Sequence, residues 1–255
     1  MAGIPIAVQL YTLREETEND FAGTLKKVAE LGFDGVEFAG FGGLSAEKVK
    51  ELTDDLNLAP VSAHIPLADL KDNLDNVISN LKTVGIQYAV CPYLMPDERT
   101  EESYQSLIPL LNEAGRKLKD AGITLCYHNH DFELERLSDG RMALEAIFDD
   151  SDPGLLQTEL DVYWLAKAKE DPAAWIKRYQ GRSPLVHLKD MTRDEEQFFA
   201  ELGKGSIDLQ EILSLGDEAG VKWWVVEQDA SRLTPFESIE ISINYLKEQF
   251  STKGV

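Results

Sequence analysis

Residues 123–130, ITLCYHNH, form an apolar run that stops at two histidines, His128 and His130. The same construction recurs along the chain. APVSAHI (59–65) ends at His64, SPLVHLKD (183–190) at His187, LQTELDVYW (156–164) carries Asp161 and WWVVEQD (223–229) carries Glu227. The chain has four histidines, and all of them fall at such ends. Short β-rich runs whose polar residues gather at one end predict parallel strands with a common polar face. In a closed barrel that face is where ligands are held.

Working outward, strand-like and helix-like segments alternate from end to end. PIAVQL is followed by NDFAGTLKKVAELG, whose apolar spacing of three and four and terminal Gly32 predict an amphipathic helix. FDGVEFAGF then predicts a strand, and SAEKVKELTDDLN a helix opened by Ser45. The long helix EESYQSLIPLLNEAGRKLKDAG stops at Gly122. About eight such units of roughly 30 residues predict a (β/α)8 barrel over residues 1–255 as a single domain. An open doubly wound sheet would carry a glycine-rich first turn, and VQLYTLREE has none. The last residues, STKGV, read as a frayed tail.

Composition excludes several functions. The chain has 255 residues and a formal net charge of −21, a field that repels phosphate backbones and anionic membranes, so neither nucleic acid nor membrane is expected as a partner. No apolar stretch approaches the roughly 18 residues of a membrane span. Cys91 and Cys126 lie in apolar runs and read as core residues of a reducing compartment, with the cytoplasm expected. A homo-oligomer stays open.

Read in order, the strand ends present Gln9, Glu37, His64, Pro92, His128 with His130, Asp161, His187 and Glu227. Strands five to eight thus offer His, Asp, His and Glu, a mixed nitrogen and oxygen set for one divalent ion (Mn2+, Zn2+, Co2+ or Mg2+). Each also has a plainer reading: Asp161 as the cap of the next helix, His187 as a core histidine. Glu227 follows WWVV, where an unpaired charge would be costly, and is the strongest single candidate. His128 and His130, two apart, share one face of an extended strand. One would ligate the metal while the other works as acid or base, or touches a hydroxyl.

YHNHDFE (127–133), LDVYW (160–164), RSPLVHLKD (182–190), LGKGSIDL (202–209) and VVEQD (225–229) resemble the xylose isomerase-like TIM-barrel superfamily. Within it they are most similar to proteins called sugar phosphate isomerase/epimerase, of the AP-endonuclease family 2 type. The resemblance implies one divalent metal held by Glu, Asp, His and Glu on strands five to eight. The last three match Asp161, His187 and Glu227. Where relatives have Glu-Asn this chain has His128-Asn129, so either His128 or Glu133 supplies the first ligand. Arg193 and the Gly203-Lys204-Gly205 loop match substrate-contacting positions, with Lys204 placed to meet an anion. Trp164 would stack on a sugar face, and His64 and Glu37 would make polar contacts with it.

The implied activity is isomerisation or epimerisation of a sugar or keto-sugar, phosphorylated or not. The metal would chelate neighbouring carbonyl and hydroxyl oxygens, and Glu227, His130 or His128 would move the α-proton of an enediolate. A dehydratase or lyase acting on an inosose or a 3-keto-glycoside needs the same apparatus. An AP endonuclease fits the charge poorly, and a non-catalytic sugar-binding barrel would have no need of the metal.

Overall fold

A computed structural model describes residues 3–252. Eight parallel strands close on themselves: β1 (Ile6–Gln9), β2 (Gly35–Phe38), β3 (Ala59–His64), β4 (Tyr88–Cys91), β5 (Thr124–His128), β6 (Leu156–Asp161), β7 (Leu185–Leu188) and β8 (Trp223–Val226). Each strand pairs with its sequence neighbours, and β1 seals the ring by pairing with both β2 and β8. Parallel neighbours require a crossover, and the helices between them supply it. The expected (β/α)8 barrel is what the chain forms.

Strand alternation sorts side chains between two compartments. Outward residues such as Val36, Phe38, Leu125, Leu160, Val186, Leu188 and Trp224 pack against the helical shell in one continuous core. Inward residues form a smaller cluster of Ala7, Val61, Val90, Cys126, Leu185 and Val225, which plugs the barrel. One step further along each strand the inward positions turn polar: Gln9, Glu37, His128, Glu159, His187 and Glu227 are all buried. The plug closes the floor, and the charged layer lies above it at the C-terminal ends.

Local signals operate as the sequence implies. Ser45 Oγ accepts the Lys48 N–H to start the helix Ala46–Leu56. Gly32 ends the helix Phe21–Leu31 in the left-handed region at φ 83°, where residues with a Cβ are disfavoured. After β7 the chain makes an antiparallel pair, Asp190–Met191 with Phe199–Ala200, before the helix Leu209–Ser214. The final helix, Pro235–Thr252, takes in the first two residues of the expected tail, and the other three lie outside the described residues. Both cysteines are free and buried, and no helix among the described residues is long and apolar enough to cross a membrane.

Candidate metal centre

Four strands bring the centre together. His128 ends β5, Asp161 ends β6, His187 sits in β7 opposite Asp161, and Glu227 follows β8. Each offers one ligand atom, and these atoms all lie within 4.8 Å of one another, fully buried. His187 Nδ1 is 2.9 Å from Glu227 Oε2, and His128 Nε2 and His187 Nδ1 are each 3.9 Å from Asp161 Oδ2. Asp161 caps the next helix, its plainer sequence reading, and also faces the cluster. Its Oδ1 accepts the N–H groups of Tyr163 and Trp164, capping the next helix, while Oδ2 is buried and receives no well-directed hydrogen bond.

The site contains a charge that sequence reasoning missed. Lys189 Nζ is buried 2.9 Å from Asp161 Oδ2, 2.6 Å from Glu227 Oε2 and 2.8 Å from Asp229 Oδ2. Burial works against its charge, but Asp161, Asp229 and Glu227 outweigh it and hold the ammonium well above its usual range. Burial likewise opposes ionisation of Glu227, and here Lys189 and His187 prevail and keep the carboxyl below its ordinary range. For Asp161 burial wins, and its carboxyl is pushed up despite Lys189 and His187.

A second layer lies beneath. Glu37 Oε1 accepts from Gln9 Nε2 at 2.7 Å and faces His187 Nε2 at 2.7 Å, while its other oxygen accepts from Ser62 Oγ. Glu159, also missed from sequence, presents Oε2 to His64 Nε2 at 3.1 Å, His128 Nδ1 at 3.2 Å and His187 Nε2 at 3.3 Å. The shared histidines therefore face the upper carboxylates with one ring nitrogen and the lower ones with the other. Burial disfavours the charged form of His64, but Glu37 and Glu159 raise it to about 10. His128 is held well below its usual range by burial and by its positively charged neighbours.

The centre opens on a cleft of about 880 Å3 whose inner wall includes His64, His128, His130, Trp164, Glu227 and Asp229. The His130 ring lies 5.0 Å from that of His128 and 5.2 Å from Trp164. Burial and then Lys189 push His130 down to about 3, which keeps its imidazole neutral.

Four expected contacts are elsewhere. Glu37 is buried in the lower layer and does not reach the cleft. Glu133 lies behind His130, accepting from its N–H and from Tyr127 Oη, away from the clustered ligand atoms among which His128 stands. Arg193 donates from Nε to the Gly205 carbonyl. Lys204 is exposed on a loop that encloses a carboxylate of the protein itself: the N–H groups of Gly203, Gly205 and Ile207 all reach Asp190. A Cβ on Gly205 would collide with the Asp190 carboxylate and the Met191 carbonyl, which accounts for the glycine without any ligand.

A divalent cation fits this donor set. Two imidazoles and two carboxylates within mutual reach suit a borderline metal ion. Asp161 Oδ2, on the side of the cluster, receives no well-directed hydrogen bond, although Lys189 Nζ lies 2.9 Å away. Lys189 marks the same spot as one where positive charge is stable.

Fold and site together define a (β/α)8-barrel enzyme with a buried His/Glu/Asp cation site at the strand ends. The xylose isomerase-like TIM barrel family matches residues 25–249, and the chain belongs to it. Inosose dehydratase of Clostridium beijerinckii is 28% identical over 168 residues, which is 58% of this chain and 55% of that protein. Inosose dehydratase of Clostridium tetani is 26% identical over 169 residues, 59% of this chain and 56% of that protein. The chain thus spans about half the length of the curated relatives it matches. A solved sugar phosphate isomerase/epimerase from Parabacteroides distasonis ATCC 8503 superposes with a TM-score of 0.84 at 25% identity, covering 97% of this chain and 94% of that one.

Proposed function

We propose that this protein is a divalent-metal-dependent isomerase or epimerase of an unphosphorylated keto-sugar, working by removal of a proton next to the carbonyl. The observation that carries this reading is the meeting of His128, Asp161, His187 and Glu227 at the floor of a cleft walled by a neutral imidazole and an indole. These four residues would hold the ion. An ion bound there would supply Lewis-acid polarisation of a substrate carbonyl.

The remaining roles belong to the protein. Glu227, kept ionised by Lys189 behind it, is placed to take the α-proton. His130, neutral and in the loop just past the end of β5, three places around the barrel from β8, faces the substrate from another side and exchanges a proton with its hydroxyls. Trp164 offers a flat apolar surface for a sugar ring. Arg99 is the one arginine or lysine lining the cleft among the described residues, and it is engaged with the Leu94 carbonyl and stacked on Phe132, while His64 is paired with Glu37 and Glu159, so phosphate recognition finds little support.

A second reading shares the first step. The curated relatives are named inosose dehydratase, and the proton that Glu227 takes from the α-carbon can pass to a departing β-hydroxide, so that water leaves. NMR of candidate keto-sugars and inososes in D2O, with the metal-loaded enzyme, separates the two. Deuterium at the α-carbon with unchanged skeleton mass supports the isomerase, and loss of water supports the dehydratase. Absence of exchange across the panel sinks both.

A further inference from the structure

The cleft is larger than the ring it would hold at the metal. At about 880 Å3 it sits near the top of the roughly 300–1,000 Å3 typical of pockets for drug-sized ligands, whereas a single hexose has only about a dozen heavy atoms. The excess runs away from the metal centre, over the two helices that follow β3, Leu67–Asp72 and Leu74–Val84.

The chemistry of that outer lobe is specific. Asn73, Asn76 and Asn80 are spaced three and four apart, so one helical face lines the lobe with a row of three amides. Asp69 adjoins the row, accepting from Asn73 Nδ2 at 3.3 Å. Among the described residues, Asn76 and Asn80 show no side-chain hydrogen bond, leaving each amide free to donate and to accept. Val77 and Leu81, buried between them, give the lobe an apolar base. Among the described residues, no lysine or arginine lines this part.

An aromatic wall lines the same cleft. From Trp164 the rings continue through His130, 5.2 Å away, to Tyr93, a further 5.2 Å, a residue that is 42% exposed. Flat apolar faces combined with uncharged groups that both donate and accept are complementary to a polyhydroxylated ring, and to neither an anion nor a greasy chain.

Resting on the keto-sugar reading above, we infer that the row Asn73, Asn76 and Asn80 forms a second sugar subsite, so that the enzyme takes a two-ring glycoside with one ring at the metal and a neutral polyhydroxylated ring on the amides.

The test is binding, measured by calorimetry on the metal-loaded protein with D-glucose, maltose, cellobiose, trehalose and sucrose as probes. At least one disaccharide should bind tenfold or more tightly than glucose, and Asn76→Ala with Asn80→Ala together should shrink that ratio about tenfold. These positions face the cleft from a helix surface, so the double variant is expected to fold. Melting temperature checks this, and the single substitutions, each shrinking the ratio part-way, provide a second route. Equal affinity for glucose and every disaccharide would overturn the subsite, as would an unchanged ratio in the variants. α-Proton exchange on D-fructose is followed in parallel: its failure would count against the proposed chemistry while leaving the binding result to decide the subsite.

Discussion

Replacing Glu159 by glutamine removes one negative charge and almost no volume from beneath the metal centre. The Oε2 atom faces His64 Nε2, His128 Nδ1 and His187 Nε2 at 3.1, 3.2 and 3.3 Å. If His128 Nε2 and His187 Nδ1 hold the ion, the opposite nitrogens carry the protons, and Glu159 together with Glu37 is the anion they face. Such outer carboxylates fix the tautomer and raise the basicity of the ring, and losing one typically costs about 10–100-fold in metal affinity. Two of the proposed ligands lean on the same oxygen here, so Glu159→Gln should fall at the upper end, about 100-fold or close to 3 kcal/mol. Competition against a chelator of known affinity measures this, and the metal-free melting temperature shows whether folding is disturbed. Affinity within about threefold of wild type would refute the positioning role. Complete loss of binding in a folded variant would refute it differently, by making Glu159 a ligand in its own right.

Glu227→Gln should lower turnover by a factor of about 10³ or more while the protein stays folded by circular dichroism; wild-type activity would remove Glu227 from the chemistry. Burial pushes the Glu133 carboxyl up to about 7, above its unfolded value, so its contribution to stability is full below about 4.5 and is lost as pH rises through 7. Glu133→Gln should therefore gain on wild type by about 3 kcal/mol between pH 4.5 and 8, read as the difference in urea unfolding curves. A constant difference across that range contradicts the raised value. Burial also pushes the Cys91 thiol up to about 12 and raises that of Cys126, so neither should react with a thiol reagent in the native protein while both react in denaturant.

The barrel was legible because each strand announces itself twice, by an apolar run and by the polar residue that ends it. His64, His128, Asp161, His187 and Glu227 were found by that rule, and the closed ring turns their positions into neighbours. Glu159, Lys189 and Asp229 were missed although each stands two residues from a recognised one, in ELD, HLK and EQD. The period-two rule places such pairs on one inward face. Their value depends on partners on other strands, as when Lys189 meets Asp229 forty residues later, and linear spacing does not record that. Depth was also hidden. Glu37 and Glu133 lie in the right sector of the barrel, one in the layer beneath the metal centre and one behind a wall, and only packing decides which side of His64 or His130 a carboxyl occupies. The Gly203-Lys204-Gly205 loop has the backbone of an anion-binding turn, and its anion is Asp190 of the same chain.

Anomalous diffraction from crystals grown with Mn2+ reaches the central claim most directly, because it places the ion among the side chains without recourse to turnover. The account predicts one fully occupied site within about 2.0–2.3 Å of Asp161, His187, Glu227 and His128, with Lys189 turned towards Asp229. A protein that takes up no stoichiometric metal, or an ion lodged away from those four residues with Lys189 still between Asp161 and Glu227, would contradict it.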